Sequence, residues 1–283
     1  MIDESPADCR TPRAIWNELL DFIRARACIA VLTGAGVSTS SGIPDYRDEH
    51  GKWKRARPVE FRPFMTDPRV RQRYWARSTV GWPHIGRAQP SATHRALARM
   101  ESNGPVSLVI TQNVDGLHQA AGSRDVIDLH GRLHLVRCMQ CGHSLPRSEL
   151  QIQLLARNPE WAEIEGRVAP DGDVDIDGRD YGGFLVPDCP ECEGILKPDV
   201  VFFGESVPRE RVDRAFLGIA QADALLIVGT SLMVYSGFRF AEAAAAAGKP
   251  IAAVNLGRTR ADHLLTLKVS APCDEVLENL SPT

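Results

Sequence analysis

TGAGVSTSSGIPDYR, residues 33–47, is the stretch that decides the fold. It follows Cys28-Ile29-Ala30-Val31-Leu32, an apolar run of the length and branching expected of a strand buried on both faces of a parallel sheet. Gly34 and Gly36 let the backbone turn tightly and approach a ligand that any Cβ would obstruct. Amide N–H groups in such a turn, opening a helix, make a ready site for a pyrophosphate. The dinucleotide fingerprint G-x-G-x-x-G asks for a third glycine at position 39, where Thr39 stands, so the loop alone is a weak signal. Its continuation, Gly42-Ile43-Pro44-Asp45-Tyr46-Arg47, sets a carboxylate, an aromatic ring and a guanidinium just after the phosphate loop.

Upstream, Ile15, Trp16, Leu19, Leu20, Phe22 and Ile23 recur at helical spacing over residues 13–26, predicting an amphipathic helix that feeds the first strand. Residues 1–12 are expected to be a mobile leader. Downstream, residues 107–111 and 126–129 read as strands, with Gln112-Asn113-Val114-Asp115-Gly116-Leu117-His118 between them. Residues 222–228 give another buried strand ending in Gly229-Thr230-Ser231, and an alanine-rich helix closed by Gly248 and Pro250 follows. Residues 251–254 then lead into Asn255-Leu256-Gly257. Strands alternating with helices, each strand ending in Gly, Thr, Ser, Asn or Asp, describe an α/β fold. It is a Rossmann-like parallel sheet with helices on both faces and a ligand at its carboxyl edge. The sheet domain is expected to be discontinuous (13–47, 90–135 and 198–283), with a helical insertion at 48–89 and a zinc-binding module at 136–197.

A length of 283 residues, 43% hydrophobic and 24% charged, is that of an ordinary soluble globular protein with a sizeable core. The net charge of -3 argues against a dedicated nucleic-acid binder. One segment is locally basic, with Lys52, Lys54, Arg55, Arg57, Arg62, Arg69, Arg71, Arg73 and Arg77; it reads as a solvated cationic face or as attraction for an anionic ligand. Its later part, 69–81, is expected to be helical. No apolar run approaches the roughly 20 residues that span a bilayer, so no membrane partner is expected. Asp3, Glu4 and Asp8 at the start fit neither a signal nor a transit peptide, which leaves the cytoplasm as the expected compartment.

Four of the seven cysteines form two C-x-x-C pairs, Cys138/Cys141 and Cys189/Cys192. In a reducing compartment such pairs indicate metal or redox sites, and four thiolates from two turns suit tetrahedral zinc. Four sulfur ligands close the site to water and substrate, so the zinc is expected to be structural. Cys9, Cys28 and Cys273 lack such spacing and read as lone thiols. Between the pairs, Asp173-x-Asp175-x-Asp177-Gly178 imitates the start of a calcium loop, but its twelfth position would be Phe184 instead of glutamate. A solvated acidic loop is the expectation there.

Gln112, Asn113 and Asp115 close a predicted strand at the ligand-binding edge, where their plain role would be turn formation. His130, in Asp128-Leu129-His130-Gly131, also ends a strand, and histidine suits general-base work near neutrality. Spacing alone does not choose it from the eight histidines.

As an ordered set these pieces resemble the sirtuin family of NAD-dependent protein deacylases. The set comprises GAGVSTSSGIPDYR, TQNVDGLH, DLHG, the paired C-x-x-C, KPDVVFFGE at 197–205, GTSL at 229–232 and VNLG at 254–257. RYWARSTVGWP and the long acidic insertion look like the class II branch. The resemblance implies a cofactor site of Gly34, Ala35, Gly36, Ser38, Thr39, Asp45, Tyr46 and Arg47 around the pyrophosphate. It places Gln112, Asn113 and Asp115 at the nicotinamide and its ribose. Gly229, Thr230 and Ser231, then Asn255, Leu256 and Gly257, and the backbone near Cys273, would hold the adenosine. His130 would be the catalytic base, with Asn113 and Asp115 assisting. Val200, Val201, Phe202 and Gly204 would pair with an acylated-lysine peptide as an added strand. Many relatives carry Phe where Tyr46 stands, and either ring would shield the reacting sugar face.

The implied reaction transfers the acyl group of a modified lysine to ADP-ribose, releasing nicotinamide, free lysine and O-acyl-ADP-ribose. Tyr74 and Arg77 share a helical face, and sirtuins that remove succinyl or glutaryl groups use such a pair to grip the distal carboxylate. Acidic acyl groups are therefore an open expectation, against an exposed ion pair or a core tyrosine. Two further functions compete: ADP-ribosyl transfer to protein, and a zinc-ribbon module binding nucleic acid through the basic segment, which leaves the nucleotide motifs unexplained.

Overall fold

Why the first strand can be apolar without interruption is visible in its two faces. The computed structural model describes residues 12–48, 50, 52–54, 58–169, 172–176 and 178–280. The chain runs through Pro12–Arg24 (α1), Ile29–Thr33 (β1), Phe61–Thr66 (α2), Pro68–Arg87 (α3), Ala92–Asn103 (α4), Val106–Thr111 (β2), Leu117–Ala120 (α5), Val126–Asp128 (β3), Gly131–Cys138 (β4) and Ser144–Pro146 (β5). It continues through Arg147–Arg157 (α6), Arg167–Val168 (β6), Val174–Asp175 (β7), Leu196–Val200 (β8), Arg209–Gln221 (α7), Ala224–Val228 (β9), Tyr235–Ala246 (α8), Ile251–Val254 (β10), Leu267–Val269 (β11) and Cys273–Asn279 (α9). Of the expected leader only Pro12 is described, and it opens α1. Cys9, Arg55, Arg57 and Asp177 lie outside the described residues.

The main sheet is parallel in the order β11-β10-β9-β1-β2-β3. Val31 faces a core built with Leu19, Phe22, Leu97, Met100, Val276 and Leu277, from α1, α4 and α9. Ala30 and Leu32 face the other core, with Ala215, Ile219, Phe240 and Ala241 from α7 and α8. Both faces are dry, so every position of β1 is buried and no polar alternation survives. The order of strands reverses between β1 and β9, whose carboxyl ends therefore stand side by side at the point where open α/β sheets take ligands.

A second sheet, β5-β4-β8, is antiparallel. Phe64, Tyr74 and Trp75 from α2 and α3 pack with Leu133, Val136 and Leu196 from this sheet and Leu150 from α6 into one core. Strand β4 starts at Gly131 and β8 ends at Val200, and α2 and α3 pack against this sheet. Helix α3 starts on Asp67, whose side chain accepts from the Arg69 amide at 2.8 Å, and runs past residue 81 and through Pro83 to Arg87. A Cβ on Gly81 would stand 2.2 Å from the Gly172 carbonyl, so glycine lets the acidic segment cross the helix there.

That crossing overturns the expectation of a solvated loop and gives Arg77 partners within the chain. Arg77 donates from Nε to the Val174 carbonyl at 2.6 Å and pairs with Asp173 at 2.9 Å and, through Nη2, with Asp175 at 2.8 Å. Asp173 is buried, so this part of the insertion is not a solvated acidic loop. Tyr74 lies in an aromatic cluster with Phe64, Trp75 and Phe202. Tyr74 is thus part of the core, and Arg77 is paired within its own chain. Among the described residues no helix is long and apolar enough to cross a membrane.

Candidate active site

A cavity of about 990 Å³ opens where β1 and β9 end. A Cβ on Gly34 would lie 2.6 Å from Thr230 Cβ, and one on Gly36 would lie 2.8 Å from the Gly229 carbonyl oxygen. The two strand ends can meet only because both positions lack side chains. The Gly36 amide donates to Gly229 O at 2.8 Å, locking the contact. Beyond it the chain makes two short turns, Ala35–Val37 and Thr39–Ser41, in place of the expected helix. A pyrophosphate here would meet individual amides of a tight loop and no helix macrodipole. Thr39 takes the third-glycine position comfortably, its hydroxyl donating to Gly36 O at 3.1 Å.

The cavity wall gathers residues far apart in sequence. Gly34, Ala35, Gly36, Thr39, Asp45, Tyr46 and Arg47 line it, as do Gly229, Thr230, Ser231, Asn255, Leu256, Gly257 and Cys273. Gln112, Asn113 and His130 line it too, with Val200, Val201, Phe202 and Gly204. Ser38 and Asp115 are not on this wall but directly behind Asn113. Asn113 Nδ2 donates to Gly34 O at 3.1 Å and to Ser38 Oγ at 3.0 Å, and Ser38 donates to Asp115 Oδ2 at 2.7 Å. The other oxygen of Asp115 accepts the Leu117 amide at 2.9 Å. Asn113 is thus fixed by a buried, fully bonded carboxylate network.

Aromatic rings close the outer side. Trp53 packs edge-on against Tyr46 and Phe203, and the Arg47 guanidinium lies 4.1 Å over the Trp53 ring. In the segment expected to receive a peptide strand, the Val201 amide already donates to His130 O at 2.8 Å and the Phe202 amide to Glu205 at 2.9 Å. An added strand would use other backbone groups of this segment.

His130 alone among the described histidines lines this cavity. Its Nδ1 lies 2.9 Å from Gln112 O, an acceptor, so that nitrogen carries the proton of the neutral ring. Nε2 lies 2.8 Å from Ser236 Oγ. Burial pulls the His130 pKa down to about 4, aided by the charges of Arg239 and Arg211 and opposed by the Gln112 hydrogen bond. The ring is therefore a neutral base with its lone pair at Nε2. His118, in the TQNVDGLH stretch, is instead buried against Thr33 and His94.

Away from the cavity, the four Sγ atoms of Cys138, Cys141, Cys189 and Cys192 lie within 4.8 Å of one another. Cys138 and Cys192 are 3.5 Å apart, and Cys141 and Cys189 3.7 Å. A tetrahedron of Zn–S bonds near 2.3 Å sets sulfurs about 3.8 Å apart, so these residues fit zinc. None of them lines the cavity.

Two residues absent from the sequence reading also shape the site. Ser236 reaches His130 from the first turn of α8. Asp274 accepts from Ser40 and from the Thr93 amide at 2.8 Å, tying the glycine loop to α4 and α9. The Ser236-Gly237 pair just beyond GTSL was the available signal.

The Sir2 family model matches residues 34–236. An NAD-dependent protein deacetylase of Bordetella pertussis (strain Tohama I) is 60% identical over 264 residues, which is 93% of this chain and 96% of its own. One from Xanthomonas campestris pv. campestris (strain B100) is 61% identical over 259 residues, covering 92% and 88%. A Sir2 solved with a p53 peptide and NAD+ superposes with a TM-score of 0.74 at 29% identity, over 93% of this chain and 95% of its own. Sir2Tm bound to a propionylated peptide gives 0.73 at 29%, over 93% and 96%. With the family model spanning well over half of the sequence and such relatives nearly all of it, the chain belongs to the Sir2 family.

Proposed function

We propose that this cavity carries NAD-dependent deacylation of protein lysines, acting on acetyl and other neutral acyl groups. The observation that carries the reading is His130: a neutral imidazole lining the same cavity as the Gly34–Gly36 loop. The curated relatives act as NAD-dependent deacetylases, and the solved Sir2 structures hold NAD+ or acylated peptide, which supports the same cofactor and substrate class here. Neutral acyl groups are favoured because Arg77 is held by Asp173 and Asp175.

NAD supplies a sugar–nicotinamide bond whose cationic leaving group departs as a neutral amide, opening the sugar carbon to the acyl oxygen of the modified lysine. Asn113, held by Gly34 and Ser38 with Asp115 behind, orients the carboxamide and its ribose in this reading. His130 Nε2 takes a proton from a ribose hydroxyl while Nδ1–H stays on Gln112 O. Tyr46, Trp53 and Phe203 exclude water that would otherwise compete for the sugar. The part-exposed Phe203, Val234 and Leu256 on the cavity rim offer apolar contact to a peptide. Zinc, held by the four cysteines, ties the turns after β4 and before β8 and takes no part in the chemistry.

Incubating the protein with acetyl-lysine peptide, with and without NAD, tests this by mass spectrometry. Free-lysine peptide and nicotinamide should form together and only with NAD. Turnover without NAD would refute the reading, and ADP-ribose retained on protein would favour the transferase alternative.

A further inference from the structure

The hydrogen bond from Ser236 to His130 belongs to none of the motifs that identify the cavity. Gln112 O can only accept, so His130 Nδ1 holds the single proton of the neutral ring and Nε2 can only accept. At 2.8 Å, Ser236 Oγ–H must then be the donor to Nε2. The lone pair that would take the sugar proton is already occupied, by a neighbouring residue that also lines the cavity.

This approach is built into the chain. Ser236 sits in the first turn of α8, and its neighbour Gly237 packs against the Gln112 side chain. A Cβ on Gly237 would stand 2.5 Å from Gln112 Oε1, so glycine there allows the helix to start this close. The same Gln112 side chain is tethered to Thr33 O at 3.1 Å and Thr230 Oγ1 at 2.9 Å. Both nitrogens of the base are thereby referenced to Gln112: Nδ1 through its carbonyl, and Nε2 through the helix that leans on its amide.

Building on the proposed deacylation, we propose that Ser236 is a positioning residue for His130. Its hydroxyl aims the Nε2 lone pair into the cavity until a sugar hydroxyl displaces it. It then stabilises the charged ring. When the sugar O–H bond breaks and its proton forms an N–H bond at Nε2, the imidazolium has donors at both nitrogens. Gln112 O accepts one. Ser236, turning its own hydrogen away, accepts the other. A hydroxyl serves both states because it donates and accepts; a methyl group serves neither.

The mechanism separates two events. Breaking the nicotinamide bond precedes the proton transfer and does not use His130, so acyl-peptide-dependent exchange of labelled nicotinamide into NAD reports the first event alone. Formation of free-lysine peptide reports both. In Ser236→Ala, the kcat for peptide deacylation should fall by about 10- to 100-fold, the scale of a misplaced catalytic group. Exchange should fall far less, and the KM for NAD should change little. Ser236→Thr should restore most of the deacylation, and melting curves of both variants establish that they fold. Equal loss of exchange and deacylation, no loss of either, or no rescue by threonine would overturn the inference. A wild-type protein without acyl-dependent exchange would instead sink the underlying deacylase reading.

Discussion

Replacing Arg77 with alanine separates a structural arginine from a substrate-selecting one. Arg77 and Asp173 are both nearly buried, with side chains 13% and 8% exposed, and their ion pair closes at 2.9 Å. Removing one member of a buried pair leaves the other charge uncompensated, at about 3–5 kcal/mol. The second partner, Asp175, is half exposed and contributes little, so about 3 kcal/mol is the expected loss. At roughly 2–4 °C per kcal/mol for a chain of this order of size, the melting temperature should drop by about 6–12 °C. Adding Asp173→Asn to Arg77→Ala should recover part of that drop by removing the stranded charge. On acetyl-, succinyl- and glutaryl-lysine peptides, kcat/KM measured well below the melting transition should keep its wild-type ranking. A selective loss on the succinyl and glutaryl peptides, with an unchanged melting temperature, would refute this reasoning and return Arg77 to the acyl site.

Gly36→Ala would place a Cβ 2.8 Å from Gly229 O and 2.9 Å from Gly229 Cα, forcing the two strand ends apart. Overpacking of this kind costs about 1–3 kcal/mol, and NAD affinity by calorimetry should fall at least about tenfold; unchanged affinity would contradict the close-approach argument. Elemental analysis should find one zinc per chain, and Cys141→Ser or a strong chelator should remove it and lower the melting temperature sharply. A metal-free protein that melts like the wild type would deny zinc its structural role. His130 has a folded pKa near 4, below the roughly 6.5 of an unfolded histidine, and buried His94 and His118 shift the same way. Between those values the unfolded chain binds protons that the folded chain does not, so stability is complete above about pH 6.5 and is lost as pH falls toward 4. Urea titrations from pH 5 to 7.5, approximate limits chosen inside that window, should show stability rising with pH, and a flat or falling profile would contradict it.

The parts of the fold legible in the sequence are those where one local pattern decides the outcome. β1 and β9 are apolar on both faces because both faces are covered, so a continuous run marks them. Paired cysteines carry their own geometry in their spacing, and the four sulfurs do converge. What the sequence hides is contact between distant segments of ordinary composition. Asp173 and Asp175 look like solvated acids until α3 brings Arg77 beneath them. The helix expected over 69–81 runs on through Pro83 to Arg87. Ser236 is an unremarked hydroxyl in sequence, and only the start of α8 against Gln112 turns it toward His130. The glycine loop was readable as a close approach, but the short turns after it were not, because nothing local forbids a helix there.

The central claim is that the acyl group leaves lysine for the cofactor's sugar instead of for water. A peptide carrying a carbon-labelled acetyl-lysine, followed through the first turnover with NAD, tests that directly. Label should end on ADP-ribose free of peptide, in equal amount to the free-lysine peptide formed, and this peptide-free product should be absent from His130→Ala. Label found first as free acetate would contradict it.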